Sequence, residues 1–413
     1  MKFKESIQNN NSYLHKKLHG ERRIVVWRGI IDSVWFIQFS STSSSTQHKI
    51  VDACALLFNI IEQKPMSRRD KSKTAGPRQA STRQVRVNTA NQPRSPHQPA
   101  AGPAPAEPPS RPREDTAVFS AALERFVNET MRRTVPELVN EYTQLNALPR
   151  AETSPEFARN MDSNRYRDVV CAEQNRVRLN NERYIHANWI NAHNEFRYIC
   201  TQGPLPTTCD DFWTMIVQEN IGAIVMLCDL IEKNYIKCHQ YWPTEQSPVM
   251  RFANGQIMVK FQSEKHLDGD VYRTDLAVNA PQMRNNYMQV QHFHWRSWPD
   301  HGVPRSDLAT LRLMFHLHHI ERTVVHCSAG IGRTGTLVAI FLAYQTLQRG
   351  QQLNFFQLVR SLRQQRAQSV QTLDQYLYIY NAILRYARNK LTTIDGRALD
   401  VYLQELVGNM KRS

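Results

Sequence analysis

One stretch restricts the fold of this chain more than any other: Thr323-Val-Val-His-Cys-Ser-Ala-Gly-Ile-Gly-Arg-Thr-Gly-Thr336. Its first four residues suit a short buried strand, a loop of glycine and small residues follows, and a helical pattern begins directly afterwards. A strand feeding a helix in this way requires a sheet covered by helices. The amides of such a loop, together with the helix N-terminus behind it, form a concave anion site. Gly330, Gly332 and Gly335 let the chain curl so that successive amides point inward, and the N–H groups of Ser328, Ala329, Gly330, Ile331 and Gly332 become the binding surface. Cys327 and Arg333 stand six residues apart at the two ends of the curl, and both face the anion. Amide dipoles, an arginine and a helix N-terminus favour the thiolate of such a cysteine, which is its nucleophilic form. Arg333 offers a planar fork to two phosphate oxygens. A lone cysteine is as readily an inert buried thiol, and a Cys/Arg pair at this spacing recurs by chance. The whole run from His326 to Gly335 does not.

The net charge of +15 raises the question of nucleic acid, so its location matters. Residues 1–64 carry nine Lys/Arg against five Asp/Glu, residues 65–115 ten against four, and the rest of the chain thirty-three against twenty-eight. Ten of the fifteen excess charges therefore precede Thr116, and a nucleic-acid function finds little support in the remainder. Residues 1–64 hold two apolar runs, Ile24–Phe39 and Ile50–Ile61, on either side of a Ser/Thr-rich patch. Arg28, Asp32 and Asp52 interrupt these runs, which fall short of the roughly 18 to 20 apolar residues of a membrane span. This extension is assigned no structure or function. Residues 65–115 hold ten of the twenty prolines and almost no large apolar side chains, so they read as a disordered basic linker. Pro96-x-x-Pro99 and Pro105-x-x-Pro108, within residues 93–112, offer a weak match to a proline-recognition partner. Arg68, Arg69, Lys71 and Lys73 leave nuclear import open beside a cytoplasmic default. The seven cysteines are scattered singly with no C-x-x-C pair, which argues against a disulfide framework or structural zinc and for a reducing compartment.

From Thr116 to the C-terminus the pattern is globular. Helical spacing covers Phe119–Tyr142, Leu308–Ile320, Gly335–Leu347, Leu353–Gln365 and Leu373–Tyr386. Extended stretches fall at Tyr198–Thr201, Ala223–Leu227, Gln256–Phe261, Tyr287–Phe293 and Thr323–His326. His316, His318, His319 and Glu321 form a polar helix face rather than a metal site.

The run His326–Gly335 resembles the signature of the cysteine-dependent protein-tyrosine phosphatases. The resemblance extends over roughly residues 135–390 in the family's order. Asn164-Arg165-Tyr166 is similar to the phosphotyrosine-recognition loop. Tyr198-Ile-Cys-Thr-Gln-Gly-Pro-Leu205 and Lys237-Cys-His-Gln-Tyr-Trp-Pro243 resemble framework motifs. Trp298-Pro299-Asp300, with Gly302-Val303-Pro304 after it, resembles the mobile acid loop, and Val370-Gln371-Thr372 with Gln375-Tyr376 the glutamine loop. The resemblance implies an α/β fold, a twisted mixed β-sheet flanked by helices, with one catalytic domain over 116–413 behind a disordered N-terminal extension. It implies a phosphotyrosine-specific enzyme of the non-receptor type, acting on phosphotyrosine-containing proteins without metal or cofactor. In that mechanism Cys327 attacks phosphorus, Arg333 and the loop amides hold the charge, and Asp300 is general acid and then general base. Gln371, helped by Gln375, positions the hydrolytic water. Thr334 offers its hydroxyl to the departing thiolate, His326 steadies the loop, Glu232 fixes Arg333, and Trp298 hinges the acid loop. Tyr166 sets the pocket depth, Asp168 binds the substrate backbone, and Arg167 favours acidic neighbours of the phosphotyrosine. Two departures stand out. Gln368 takes the place of a small residue beside the pocket and could hinder Gln371, and His301 replaces an aromatic. A catalytically weak phosphotyrosine-binding protein that retains the fold is therefore the alternative.

Overall fold

The computed structural model describes four strands between residues 6 and 39, and residues 116–149, 152–193, 195–283, 286–306 and 309–410. The linker 65–115, its proline motifs, the basic cluster at 68–73 and most of the N-terminal extension lie outside the described residues. The chain divides into two units, Met1–Ala104 and Pro105–Ser413. In the first, β1 (Ser6–Gln8), β2 (Asn11–Leu18), β3 (Arg22–Arg28) and β4 (Trp35–Phe39) form an antiparallel sheet in chain order, with Ile24 of β3 opposite Phe39 of β4.

In the second unit, α1 (Thr116–Met131), α2 (Val135–Ala147) and α3 (Pro155–Arg159) precede β5 (Ala187–Ala192) and β6 (Glu195–Thr201). Then come α4 (Cys209–Gln218), β7 (Ala223–Met226) and a small hairpin of β8 (Ile231–Glu232) and β9 (Tyr235–Ile236). A meander of β10 (Val249–Phe252), β11 (Ile257–Asp268), β12 (Val271–Asn279) and β13 (Met288–Trp295) follows, and after it α5 (Ala309–Leu317) and β14 (Thr323–His326). The chain ends in α6 (Gly332–Gln348), α7 (Phe355–Gln365), α8 (Leu373–Lys390) and α9 (Gly396–Asn409).

The eight-stranded sheet has the order β10-β11-β12-β13-β7-β14-β6-β5. Its centre is parallel, β13 with β7, β7 with β14 and β14 with β6, and its outer pairs are antiparallel. This is the mixed sheet expected from the sequence. All four residues of β7 and of β14 are buried, as central parallel strands covered on both faces must be. Behind β14, α6 is buried over almost its whole circumference, so it is a core helix rather than an amphipathic surface one.

Three expectations need correction. The helical spacing over Phe119–Tyr142 is two helices, because Pro136 lacks an N–H and its ring would collide with the preceding turn of a continuous helix. The chain breaks after Met131 and restarts at Val135, where the Glu137 carboxylate accepts the Thr134 amide at 2.6 Å. The helix read as Leu308–Ile320 is described over Ala309–Leu317, so His318 and His319 lie past its end and form no helix face. The helix after the signature starts at Gly332 rather than Gly335, which puts Arg333 and Thr334 in its first turn.

Candidate active site

Strand β14 ends on His326, the loop 327–331 turns over, and α6 begins at Gly332. The glycines serve two different needs. Gly330 alone of the three has a left-handed backbone, φ +71°, and a Cβ there would lie 2.0 Å from the Thr201 carbonyl oxygen. Gly332 and Gly335 are helical and matter for close approach: a Cβ on Gly335 would meet the Val370 amide nitrogen at 2.7 Å. The turn aims the Gly330 amide at Cys327 Sγ, 3.2 Å away, and Cys327 is only 3% exposed.

The opposite side of the curl is held by Arg366, a residue that sequence reasoning missed. It is fully buried and donates Nε to Gly330 O and Nη2 to Ala329 O, both at 3.0 Å, with Nη1 on His186 Nδ1 and Asn188 Oδ1. Burial and the neighbouring Arg366 charge push the His186 pKa down to about 3, so that ring is a neutral acceptor. By drawing two loop carbonyls outward, Arg366 leaves the amides facing in.

Arg333 is 1% exposed. Its Nη1 and Nη2 meet the two Glu232 oxygens at 2.6 and 3.1 Å, Nη1 also donates to Trp298 O, and Nη2 reaches Asp300 Oδ1 at 3.1 Å. Burial works against the guanidinium charge, but the Cys327 sulfur and Glu232 outweigh it and raise the pKa. Asp300 Oδ2 accepts Lys237 Nζ at 2.6 Å. Burial alone would raise the Asp300 carboxyl; Lys237 and Arg333 prevail and hold it below the usual carboxylate range. Trp298 is buried and donates Nε1 to Gly302 O, bracing the turn that carries Asp300.

Tautomers behind the cysteine follow from donor counting. His326 Nδ1 must donate, because its partner is the Cys327 carbonyl at 3.1 Å. Its Nε2 therefore accepts from Tyr241 O–H at 2.6 Å, and His292 Nε2–H must supply the Tyr241 oxygen at 2.8 Å. Burial lowers the His326 pKa to about 3. A neutral His326 thus steadies the loop through the Cys327 backbone. Thr334 Oγ1 is buried and has no hydrogen-bond partner among the described residues.

A cavity of about 230 Å³ opens over this loop. Tyr166, Asp168, Lys237, Asp300, Cys327, Arg333, Gln371 and Gln375 all line it. The Ser328 hydroxyl donates to Lys237 O at 3.0 Å, so Tyr166 O–H is the donor to Ser328 Oγ at 2.8 Å. Arg165 locks the recognition loop through Gly203 O and Pro204 O. Gln375 Oε1 accepts the Gln371 amide at 3.0 Å, and the Gln371 side chain reaches over Gly332. Arg167 is exposed and does not line the cavity. Lys237 belongs to a sequence motif that gives it no role of its own; only the fold reveals that it bonds Asp300. Gln368 lies in a neighbouring hollow of about 660 Å³ that shares Gln371. Its φ is +61°, and its buried Oε1 has no partner among the described residues. Among the described residues no cluster of three His, Cys, Asp or Glu is placed to hold a metal, and no helix is long and apolar enough to cross a membrane.

A mixed sheet whose central strand runs through a cysteine loop into a helix with an arginine in its first turn defines the cysteine-phosphatase class of α/β domain. The chain belongs to the protein-tyrosine phosphatase family, whose family model matches residues 160–385. It is 36% identical over 265 residues to the receptor-type tyrosine-protein phosphatase eta of Gallus gallus, covering 60% of this chain and 18% of that one. With the tyrosine-protein phosphatase non-receptor type 20 of Mus musculus it shares 30% over 281 residues, 66% of this chain and 65% of the relative. With the human non-receptor type 2 enzyme it shares 37% over 246 residues, 56% and 58%. The chain thus spans less than two thirds of each of these relatives. Among solved structures, the catalytic domain of human protein tyrosine phosphatase non-receptor type 18 superposes with a TM-score of 0.57 at 30% identity, covering 65% of this chain and 99% of that domain.

Proposed function

We propose that residues 116–413 form a catalytic domain that hydrolyses phosphotyrosine in proteins through a phosphocysteine intermediate. The observation that carries this reading is the meeting of Cys327, Arg333 and Asp300 around one small cavity. An incoming phosphoryl dianion takes the place at Arg333 Nη2 that Asp300 Oδ1 now holds. Its charge beside the carboxylate raises the proton affinity of Asp300, so substrate itself prepares the acid. Cys327 attacks phosphorus in line: the S–P bond forms, the P–O bond to the ring breaks, and Asp300 gives its proton to the phenolate. The loop amides and Arg333 hold the charge spread over the equatorial oxygens. Water placed by Gln371 and Gln375 then attacks phosphorus and loses a proton to Asp300, and the S–P bond breaks to return the thiolate. The orphaned Thr334 hydroxyl suits a group that turns to the sulfur as that charge returns.

Tyr166, pinned to Ser328, makes the wall along which a phosphotyrosine ring slides, with Asp168 beside it for the substrate backbone. The non-receptor type 18 phosphatase is seen in complex with HER2 phosphotyrosine peptides, the ligand class expected here. The six described cysteines are all free, in keeping with a cytoplasmic, non-receptor enzyme. The experiment is turnover of phosphotyrosine and phosphoserine peptides with EDTA present. Only the phosphotyrosine peptides should react, Cys327→Ser should abolish the reaction, and Asp300→Ala should trap substrate. Turnover by Cys327→Ser at the parent rate refutes the reading. The strained Gln368 beside Gln371 favours one second reading, a slow phosphatase that mainly binds phosphotyrosine; a kcat that rises after Gln368→Gly would support it, and one no faster than the parent would count against it.

A further inference from the structure

We propose that Tyr142, on α2 and outside the residues matched by the family model, is a positioning residue for Gln371 and governs the second chemical step. The inference rests on the reading of Gln371 given above. Both peptide groups of Gln371 are held. Its N–H goes to Gln375 Oε1, and its carbonyl accepts the Tyr142 hydroxyl at 2.6 Å, a bond spanning 229 residues. The Val370 carbonyl, in the same peptide as the Gln371 N–H, accepts Arg363 Nη2, and one peptide earlier the Val370 amide donates to Ile331 O. These other contacts come from the signature loop, α7 or α8. Among the described residues the Tyr142 bond alone reaches Gln371 from the N-terminal helices, and with the longer Thr372 N–H bond to Gln375 Oε1 at 3.3 Å it fixes the rotation of the peptide that follows the Gln371 side chain. The ring itself has independent support, 5.5 Å from the Tyr376 ring and under Arg363 at 5.6 Å. Removing the hydroxyl therefore leaves the ring packed and frees only the Gln371 carbonyl.

A group that acts through Gln371 touches only the hydrolysis of the phosphocysteine, since water enters there. The value of kcat/KM reports steps up to release of the phenol, and kcat includes the second step. The test uses the full chain with para-nitrophenyl phosphate in steady state and by rapid quench, comparing the parent, Tyr142→Phe and Gln371→Ala. Phosphocysteine hydrolysis in Tyr142→Phe should slow about threefold to tenfold, the size of one lost hydrogen bond. Phosphoenzyme should accumulate, as in Gln371→Ala but less, while kcat/KM stays within about twofold of the parent. An unchanged hydrolysis rate overturns the proposal, and so does an equal fall in kcat and kcat/KM, which would mark Tyr142 as mere scaffold. A parent that turns over the ester without ever forming phosphocysteine would overturn the mechanism above and this role with it.

Discussion

Replacing Gln368 by glycine should make this protein both more stable and faster. Gln368 stands at φ +61°, a left-handed conformation that costs a non-glycine residue roughly 1–2 kcal/mol. Its buried Oε1 has no partner among the described residues, and a desolvated orphan of this kind costs about 1–3 kcal/mol. Against these stands the greater freedom of glycine in the unfolded chain, about 0.5–1 kcal/mol. The balance is a gain of at least about 1 kcal/mol, or roughly 2 °C or more in Tm for a domain of this size. Removing the side chain also clears the wall of the hollow that Gln368 shares with Gln371, so on the proposed mechanism Gln371 is no longer hindered in placing water and kcat should rise severalfold. Thermal unfolding and steady-state turnover of a small aryl phosphate measure the two effects separately. A lower Tm would refute the strain argument, and an unchanged or lower kcat would refute the hindrance of Gln371.

Three further outcomes follow from the site. Arg366→Met should reduce kcat/KM by roughly 10- to 100-fold, because two charge-assisted hydrogen bonds to the loop carbonyls are lost; wild-type kinetics in this variant would show that the loop holds its own curl. His186 and His326 are buried and neutral with pKa values lowered to about 3. The stability they contribute is full above the ordinary histidine value and is lost as pH falls from about 6.5 toward 3, by up to about 1.4 kcal/mol per pH unit for each ring. Plots of Tm against pH should therefore fall below about pH 6.5 and do so less steeply in His186→Gln; parallel curves would contradict this. Gly330→Ala should destroy turnover by at least about a hundredfold, since its Cβ would sit inside the Thr201 carbonyl at an unfavourable φ; a variant with near-parental kcat would show that the loop can move aside.

The signature run and the motifs around Asn164–Tyr166, Trp298–Asp300 and Val370–Thr372 could be picked out because each is a contiguous run of residues, and the mixed character of the sheet followed from them. Three of its strands, β5, β10 and β12, were missed because short or polar strands carry little pattern of their own. Periodicity alone misread the helices. Apolar spacing continues straight across Pro136, although the proline was in plain view, and it placed the start of α6 three residues late because glycines discouraged a helix that tertiary packing imposes. The residues that support the site were not legible at all. Arg366 meets the loop 36 and 37 residues away in sequence, Lys237 meets Asp300 across 63, and Tyr142 meets Gln371 across 229. No local pattern distinguishes these arginine, lysine and tyrosine side chains from their neighbours. Gln368 could be picked out as a departure, but its backbone strain exists only in three dimensions.

The contact between Asp300 and Arg333 has a consequence for recognition. Before any ligand arrives, one nitrogen of Arg333 already holds an internal carboxylate, so an anion that claims that nitrogen exchanges places with Asp300. A singly charged visitor gains little over the resident it must evict, whereas a doubly charged phosphate monoester gains a second unit of attraction for the same displacement. On the proposed mechanism the resting site thereby discriminates by valence before shape is consulted, and chloride or acetate should compete poorly for the seat.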